Sequence, residues 1–80
     1  MIHLVTSTAA LHDVIEWLAP DDILVIAGGG LNAAHGLQGL PCRAATFTDD
    51  KALFPNLKID TITTEEWLDL LEESPCRTWS

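Results

Sequence analysis

The segment Ile23-Leu24-Val25-Ile26-Ala27 is apolar at every position, and Gly28-Gly29-Gly30 ends it abruptly. A short apolar run without alternation suits a strand buried on both faces, and such strands belong to parallel sheets covered by helices. The flanking sequence fits that frame. Ile2 to Val5 is another short apolar run, closed by Thr6-Ser7-Thr8. Ala9 to Ala19 then changes to helical spacing, with Leu11, Val14, Ile15 and Leu18 on one face and His12, Asp13 and Glu16 opposite. Pro20-Asp21-Asp22 is a turn cluster.

Beyond the glycines, Leu31 to Leu37 is expected as a short helix that Pro41 stops, and Cys42 to Phe47 as a third strand. Thr48-Asp49-Asp50 reads as a helix start, with Thr48 as the cap oxygen and two carboxylates at the positive end of the dipole. Pro55 limits that helix to about Phe54. Leu57 to Ile62 is expected as a fourth strand. Thr63-Thr64-Glu65-Glu66 has capping-box spacing, with Thr63 as N-cap. Trp67, Leu68, Leu70 and Leu71 would form the buried face of the last helix. Ser74-Pro75 ends it, and Cys76 to Trp79 is a last short strand. Strands alternating with helices through 80 residues predict one small three-layer, doubly wound α/β domain. It is flavodoxin-like, with a five-stranded, mostly parallel sheet.

A domain this small buries a modest share of its surface, so partners are a common source of extra stability. Twelve Asp and Glu stand against four Lys and Arg, a formal net charge of −8. Lys51, Lys58, Arg43 and Arg77 are scattered and make no basic stripe, so direct nucleic-acid binding is not expected. No apolar run approaches the ~20 residues that span a bilayer, and the N-terminus lacks a basic leader. A cytoplasmic protein without membrane contact is the expectation.

In open parallel sheets ligands sit beyond the carboxyl ends of the strands. Here that rim consists of Thr6-Ser7-Thr8, Gly28-Gly29-Gly30, Thr48-Asp49-Asp50 and Thr63-Thr64, small polar residues at helix starts with the capacity to accept an anion. The triple glycine lacks both the GxGxxG order and the GK[ST] of a P-loop; a tight turn with positive φ explains it. Cys42 and Cys76 each open an expected strand, which puts both at the amino edge, away from the usual site. They have no CxxC spacing, and no two histidines have ligand spacing, so no metal or other cofactor is expected. Arg43 and Arg77 follow the cysteines directly, but consecutive strand residues point to opposite faces, so this adjacency lends a thiolate little support. His3 reads as a satisfied core or rim histidine, His12 as exposed, and His35 as near a loop. The acidic run Glu65, Glu66, Asp69, Glu72, Glu73 reads as a solvated face or a surface for a basic partner. Trp17 and Trp67 read as core or flank residues. Trp79, next to the last residue given, is costly to order unless it packs against something.

The chain resembles the DsrH/TusB family in an ordered set of short pieces. Met1-Ile2-His3-Leu4-Val5 is similar to the family's Met-Leu/Ile-His opening. Asp22 to Ala34, a buried strand, a glycine turn and Gly30-Leu31-Asn32-Ala33-Ala34, is similar to its central stretch. Ile62 to Leu70 follows its Ile-Asp-Tyr-x-x-Phe-Val-x-Leu pattern, with Thr63 at the cap and Trp67 for the phenylalanine, and Trp79 matches the family's closing tryptophan. The resemblance implies a DsrEFH-like fold and assembly with DsrE/TusD-like and DsrF/TusC-like subunits into complexes that relay persulfide sulfur. That sulfur goes to tRNA wobble 2-thiouridine or enters sulfur oxidation, and the main carrier cysteine lies on the DsrE/TusD-like subunit. The sequence departs from the pattern at Val14, where some DsrH proteins have a cysteine, and at Gly28 and Gly29, where acidic residues stand. The chain is also shorter than usual members.

Three functions follow as expectations. The first is a non-catalytic sulfur-relay subunit with Trp79 and Trp67 as interface candidates. The second is a persulfide carrier using Cys76 or Cys42. The third is a stand-alone homodimeric binding module that has lost the relay partners.

Overall fold

The computed structural model describes residues 1–36, 39–54 and 59–80. Five strands, β1 (Ile2–Val5), β2 (Ile23–Ile26), β3 (Arg43–Phe47), β4 (Asp60–Ile62) and β5 (Cys76–Trp79), form one sheet in the order β4-β3-β2-β1-β5. Every pairing is parallel: Ile2 lies beside both Ile23 and Cys76, and Ala45 beside Asp60. Three α-helices, α1 (Thr8–Val14), α2 (Thr48–Ala52) and α3 (Thr64–Glu73), alternate with the strands, and the β2-to-β3 connection carries a 3₁₀ helix over Gly28–Gly36. The expected helix extension to Leu37 and the strand start at Leu57 and Lys58 lie outside the described residues.

The strand order decides which face each helix covers. From β1 to β4 the chain steps in one direction, so right-handed crossovers place their helices on one face. The return from β4 to β5 runs the other way, which puts α3 on the opposite face. The two cores reflect this. Val5, Ala10, Leu11, Val14, Leu24, Ile26, Leu31 and Ala34 fill the first. Ile2, Val25, Ala45 and Ile62 form the second, where Trp67 and Leu70 of α3 pack beside Leu4, Ile23 and Phe47. β2 is buried at three of four positions, as its unbroken apolar sequence requires.

Several local expectations are met and three are not. Thr63 caps α3: its hydroxyl accepts from the Glu66 amide at 3.2 Å, and the Glu66 carboxylate accepts from the Thr63 amide at 3.3 Å. Thr48, by contrast, is the first helical residue of α2 rather than its cap. Phe47 holds the cap position, and the Thr48 hydroxyl donates to the Ile62 carbonyl at 3.3 Å. Ile15 is 36% exposed instead of buried with Leu11 and Val14. The helix tightens into a 3₁₀ turn at Ile15–Trp17, and the changed angle per residue swings this side chain off the apolar stripe. Leu68 and Leu71 were expected in the face of α3 but are 54% and 39% exposed. A lone helix lying on a sheet buries one narrow ridge, here Trp67 and Leu70. With no second crossover on that face, nothing among the described residues covers Leu68 and Leu71.

Candidate functional site

The carboxyl rim forms where the sequence places it, but most of its hydroxyls are engaged within the fold. Thr6 donates to the Trp79 carbonyl at 3.4 Å, and Thr8 donates to the Gly29 carbonyl at 3.4 Å. Ser7 accepts from the Ala10 amide at 3.1 Å, and Thr48 and Thr63 are occupied as described. A recess of about 300 Å³ opens at the ends of β3 and β4, lined by Phe47, Thr48, Asp49, Ile62, Thr63 and Thr64. Its one formal charge is the Asp49 carboxylate, which opposes an anionic ligand.

The triple glycine resolves into three separate roles. Gly28 has φ +53°, the left-handed turn that ends β2. Gly30 sits against the sheet, where a Cβ would lie 3.0 Å from Ile26 Cγ2 and 3.4 Å from the Val5 carbonyl. Gly29 has ordinary room, with the Thr6 carbonyl at 3.4 Å. The motif shapes a turn and a close helix-to-sheet approach, and no ligand is needed to account for it.

The cysteines lie at the amino edge. Both are free; Cys42 is half-buried just before β3 and Cys76 is exposed as the first residue of β5. Burial pushes the Cys42 thiol up, and the nearby Asp22 carboxylate adds to that, against a lowering bond from the Leu24 backbone. Desolvation also raises the Cys76 thiol. Neither arginine offsets this. Arg43 pairs with Asp60 at 3.3 Å, and Arg77 lies over the Trp79 ring, 4.3 Å from its centre. By the β1–β5 register Arg77 shares a face with His3, and Cys76 shares the other with Ile2. A raised pKa leaves less thiolate near neutral pH. Iodoacetamide should therefore alkylate Cys76 more slowly than an unstructured cysteine peptide at pH 7, by intact mass, and the rate should level off at higher pH than the peptide's.

The best-built polar cluster joins the two ends of the given chain. His3 is 4% exposed on β1. The Trp79 indole N–H donates to its Nδ1 at 3.1 Å, and its Nε2 meets an Asp22 carboxylate oxygen at 2.9 Å. Indole nitrogen only donates, so Nδ1 bears no proton, and Nε2–H donates to Asp22. The same carboxylate accepts from the Met1 ammonium at 3.1 Å and from the Ala19 amide at 3.0 Å. Residues far apart in sequence thus hold edge strand β5 against β1. Sequence reading gives His3 as a satisfied core or rim histidine and Trp79 as an interface candidate that needs something to pack against, but no spacing signal links them.

Asp22 is held down to about 2, first by the His3 bond and then by the Ala19 amide and the Met1 ammonium, against its own desolvation. A depressed carboxylate pKa contributes stability that is present above its unfolded value and lost as pH falls through the folded one. Asp22→Asn should cost about 2 kcal/mol at pH 7, by the shift's conversion to free energy. In urea titrations the gap from wild type should narrow between about pH 4 and pH 2.

Trp67 packs edge-on to Phe47, ring centres 5.3 Å apart, so both interface candidates, Trp67 and Trp79, are half-buried in the fold. The exposed tryptophan is Trp17, 68% accessible at the end of the 3₁₀ turn. A helical projection shows it: position 17 falls off the stripe of Leu11, Val14 and Leu18. His12 is exposed, and the side chain of His35 is outside the described set. Among the described residues no three His, Cys, Asp or Glu side chains converge as metal ligands, and no helix is long and apolar enough to cross a membrane.

Comparison with known proteins places the architecture. The solution NMR structure of protein Tm0979 from Thermotoga maritima superposes with a TM-score of 0.67, over 92% of this chain and 94% of that one, at 22% identity. The likeness is one of fold. No family model matches the chain, and no curated protein matches it.

Proposed function

We propose that this chain is a non-catalytic subunit of a sulfur-relay complex of the DsrH/TusB kind, assembling with DsrE/TusD-like and DsrF/TusC-like subunits. The observation that carries the reading is the ordered set of family-like pieces from Met1 to Trp79. In the structure its two ends meet: His3 from the opening accepts from Trp79 of the close. The resemblance thus falls on residues that build one contact. The placement of the thiols supports the accessory role, since both lie at the amino edge with raised pKa, and the arginines that follow them are engaged elsewhere. The sulfur would travel toward tRNA wobble 2-thiouridine or through sulfur oxidation on a partner's cysteine, in the cytoplasm. The acidic surface assigns any RNA contact to another subunit.

A persulfide role for Cys76 is the second reading, because that thiol is exposed. Coexpression with the DsrE-like and DsrF-like proteins of the source organism, followed by size-exclusion chromatography, tests the first. Co-elution of all three is expected; elution of this chain alone as a monomer overturns it, and elution as a homodimer supports a stand-alone module instead.

A further inference from the structure

We infer that the α3 flank carrying Leu68 and Leu71 is the docking surface for a protein partner with a basic, apolar-centred contact patch, not for a second copy of this chain. The partner named for the test rests on the sulfur-relay reading.

The two faces of the sheet are unequally covered. Three connections cover one face of the sheet and α3 alone covers the other. Its ridge of Trp67 and Leu70 packs down, and its two flanks differ. On one, Glu66, Asp69, Leu70 and Glu73 line a recess of about 190 Å³ with Arg43 of β3, so that flank faces β3. Leu68 and Leu71 sit two positions from Glu66 and Asp69, about 200° around the helix, so their flank faces away from Arg43. They are 54% and 39% exposed, one turn apart. Leu4 of β1, on the same face of the sheet, is itself only half-buried.

Charge selects the occupant. Glu65 and Glu72 lie three before and four after Leu68, so they rim the leucines. Neither has a hydrogen bond or ion pair among the described residues. α3 has no lysine or arginine. Two copies meeting through this flank would set Glu65 and Glu72 of one against the same pair of the other, with no cation of α3 between them. Elsewhere the described residues offer no basic patch to receive it: Arg43 pairs with Asp60, Arg77 covers Trp79, and Lys51 reaches the Phe54 carbonyl at 3.4 Å. A partner with lysines or arginines around an apolar centre complements both features.

The test titrates the purified chain against the DsrE-like and DsrF-like pair by calorimetry. The variants are Leu68→Lys/Glu72→Lys and the charge-only Glu65→Lys/Glu72→Lys, with Asp13→Lys as a control at a distant exposed site. Circular dichroism should show unchanged folding, because every substituted side chain is exposed. Both double variants should bind at least ~10-fold more weakly, the control should match wild type, and wild-type binding should weaken with added salt. Zero-length carbodiimide cross-linking should join Glu65 or Glu72 to partner lysines. If wild type binds and the double variants bind equally well, the surface is overturned while the relay reading stands. If wild type does not bind the pair, both fall. If wild type self-associates and the double variants do not, the occupant is a second copy and the hetero-partner is wrong.

Discussion

Trp79→Ala should destabilise the domain by about 3 kcal/mol, the scale of removing a large aromatic ring from a packed site. Three losses combine. The indole leaves the first core, where it packs beside Val5 and its neighbours; its N–H no longer donates to the buried His3; and Arg77 loses the ring it covers. A domain of this size has about 4–12 kcal/mol of stability in all, so the variant should unfold at markedly lower urea concentration. Trp79→Phe separates the terms. It keeps most of the ring and leaves His3 Nδ1 buried without a donor, at a cost of about 1–2 kcal/mol. In a His3→Leu background that cost should largely vanish, giving a coupling of about 1 kcal/mol. An equal cost in both backgrounds would show that the indole acts through packing alone.

Gly30→Val should be comparably severe, at about 3 kcal/mol. An added Cβ already meets Ile26 Cγ2 at 3.0 Å, with Val5 Cγ1 at 3.5 Å on the other side, and two further methyls have no space between those strands. Overpacking of this kind costs about 1–3 kcal/mol per insertion and sometimes more. Gly29→Ala should stay within about 0.5 kcal/mol of wild type, because its Cβ meets only the Thr6 carbonyl at ordinary distance. Thermal denaturation of the two variants side by side separates these roles. A stable Gly30→Val protein would mean that the 3₁₀ helix moves away from β1 and β2 at little cost.

The parts of this fold legible in the sequence are those written locally. The apolar run Ile23 to Ile26 identified the central strand, and Thr63 with Glu66 identified a helix start that the hydrogen bonds reproduce. The amino-edge position of Cys42 and Cys76 followed from strand boundaries alone. What was not legible depended on strand order. That the chain steps outward three times and returns once leaves α3 alone on its face, and this exposes Leu68 and Leu71 despite their helical spacing with Trp67 and Leu70. Ile15 escaped for a local reason, since apolar spacing does not announce where a helix tightens. The His3–Trp79 bond joins the first strand to the last, and no periodicity connects residues so far apart. In the candidate site, residue types were readable, but whether the rim hydroxyls were open or engaged was a matter of tertiary contacts.

The functional account turns on where the sulfur goes. The most direct measurement incubates the chain, reconstituted with its DsrE-like and DsrF-like partners, with a cysteine desulfurase and cysteine, then takes the intact mass of each subunit. The account predicts one added sulfur atom on the DsrE-like subunit and none on this chain, with transfer unchanged by Cys42→Ser and Cys76→Ser. Added sulfur on this chain that disappears in Cys76→Ser would contradict it and make the chain a carrier.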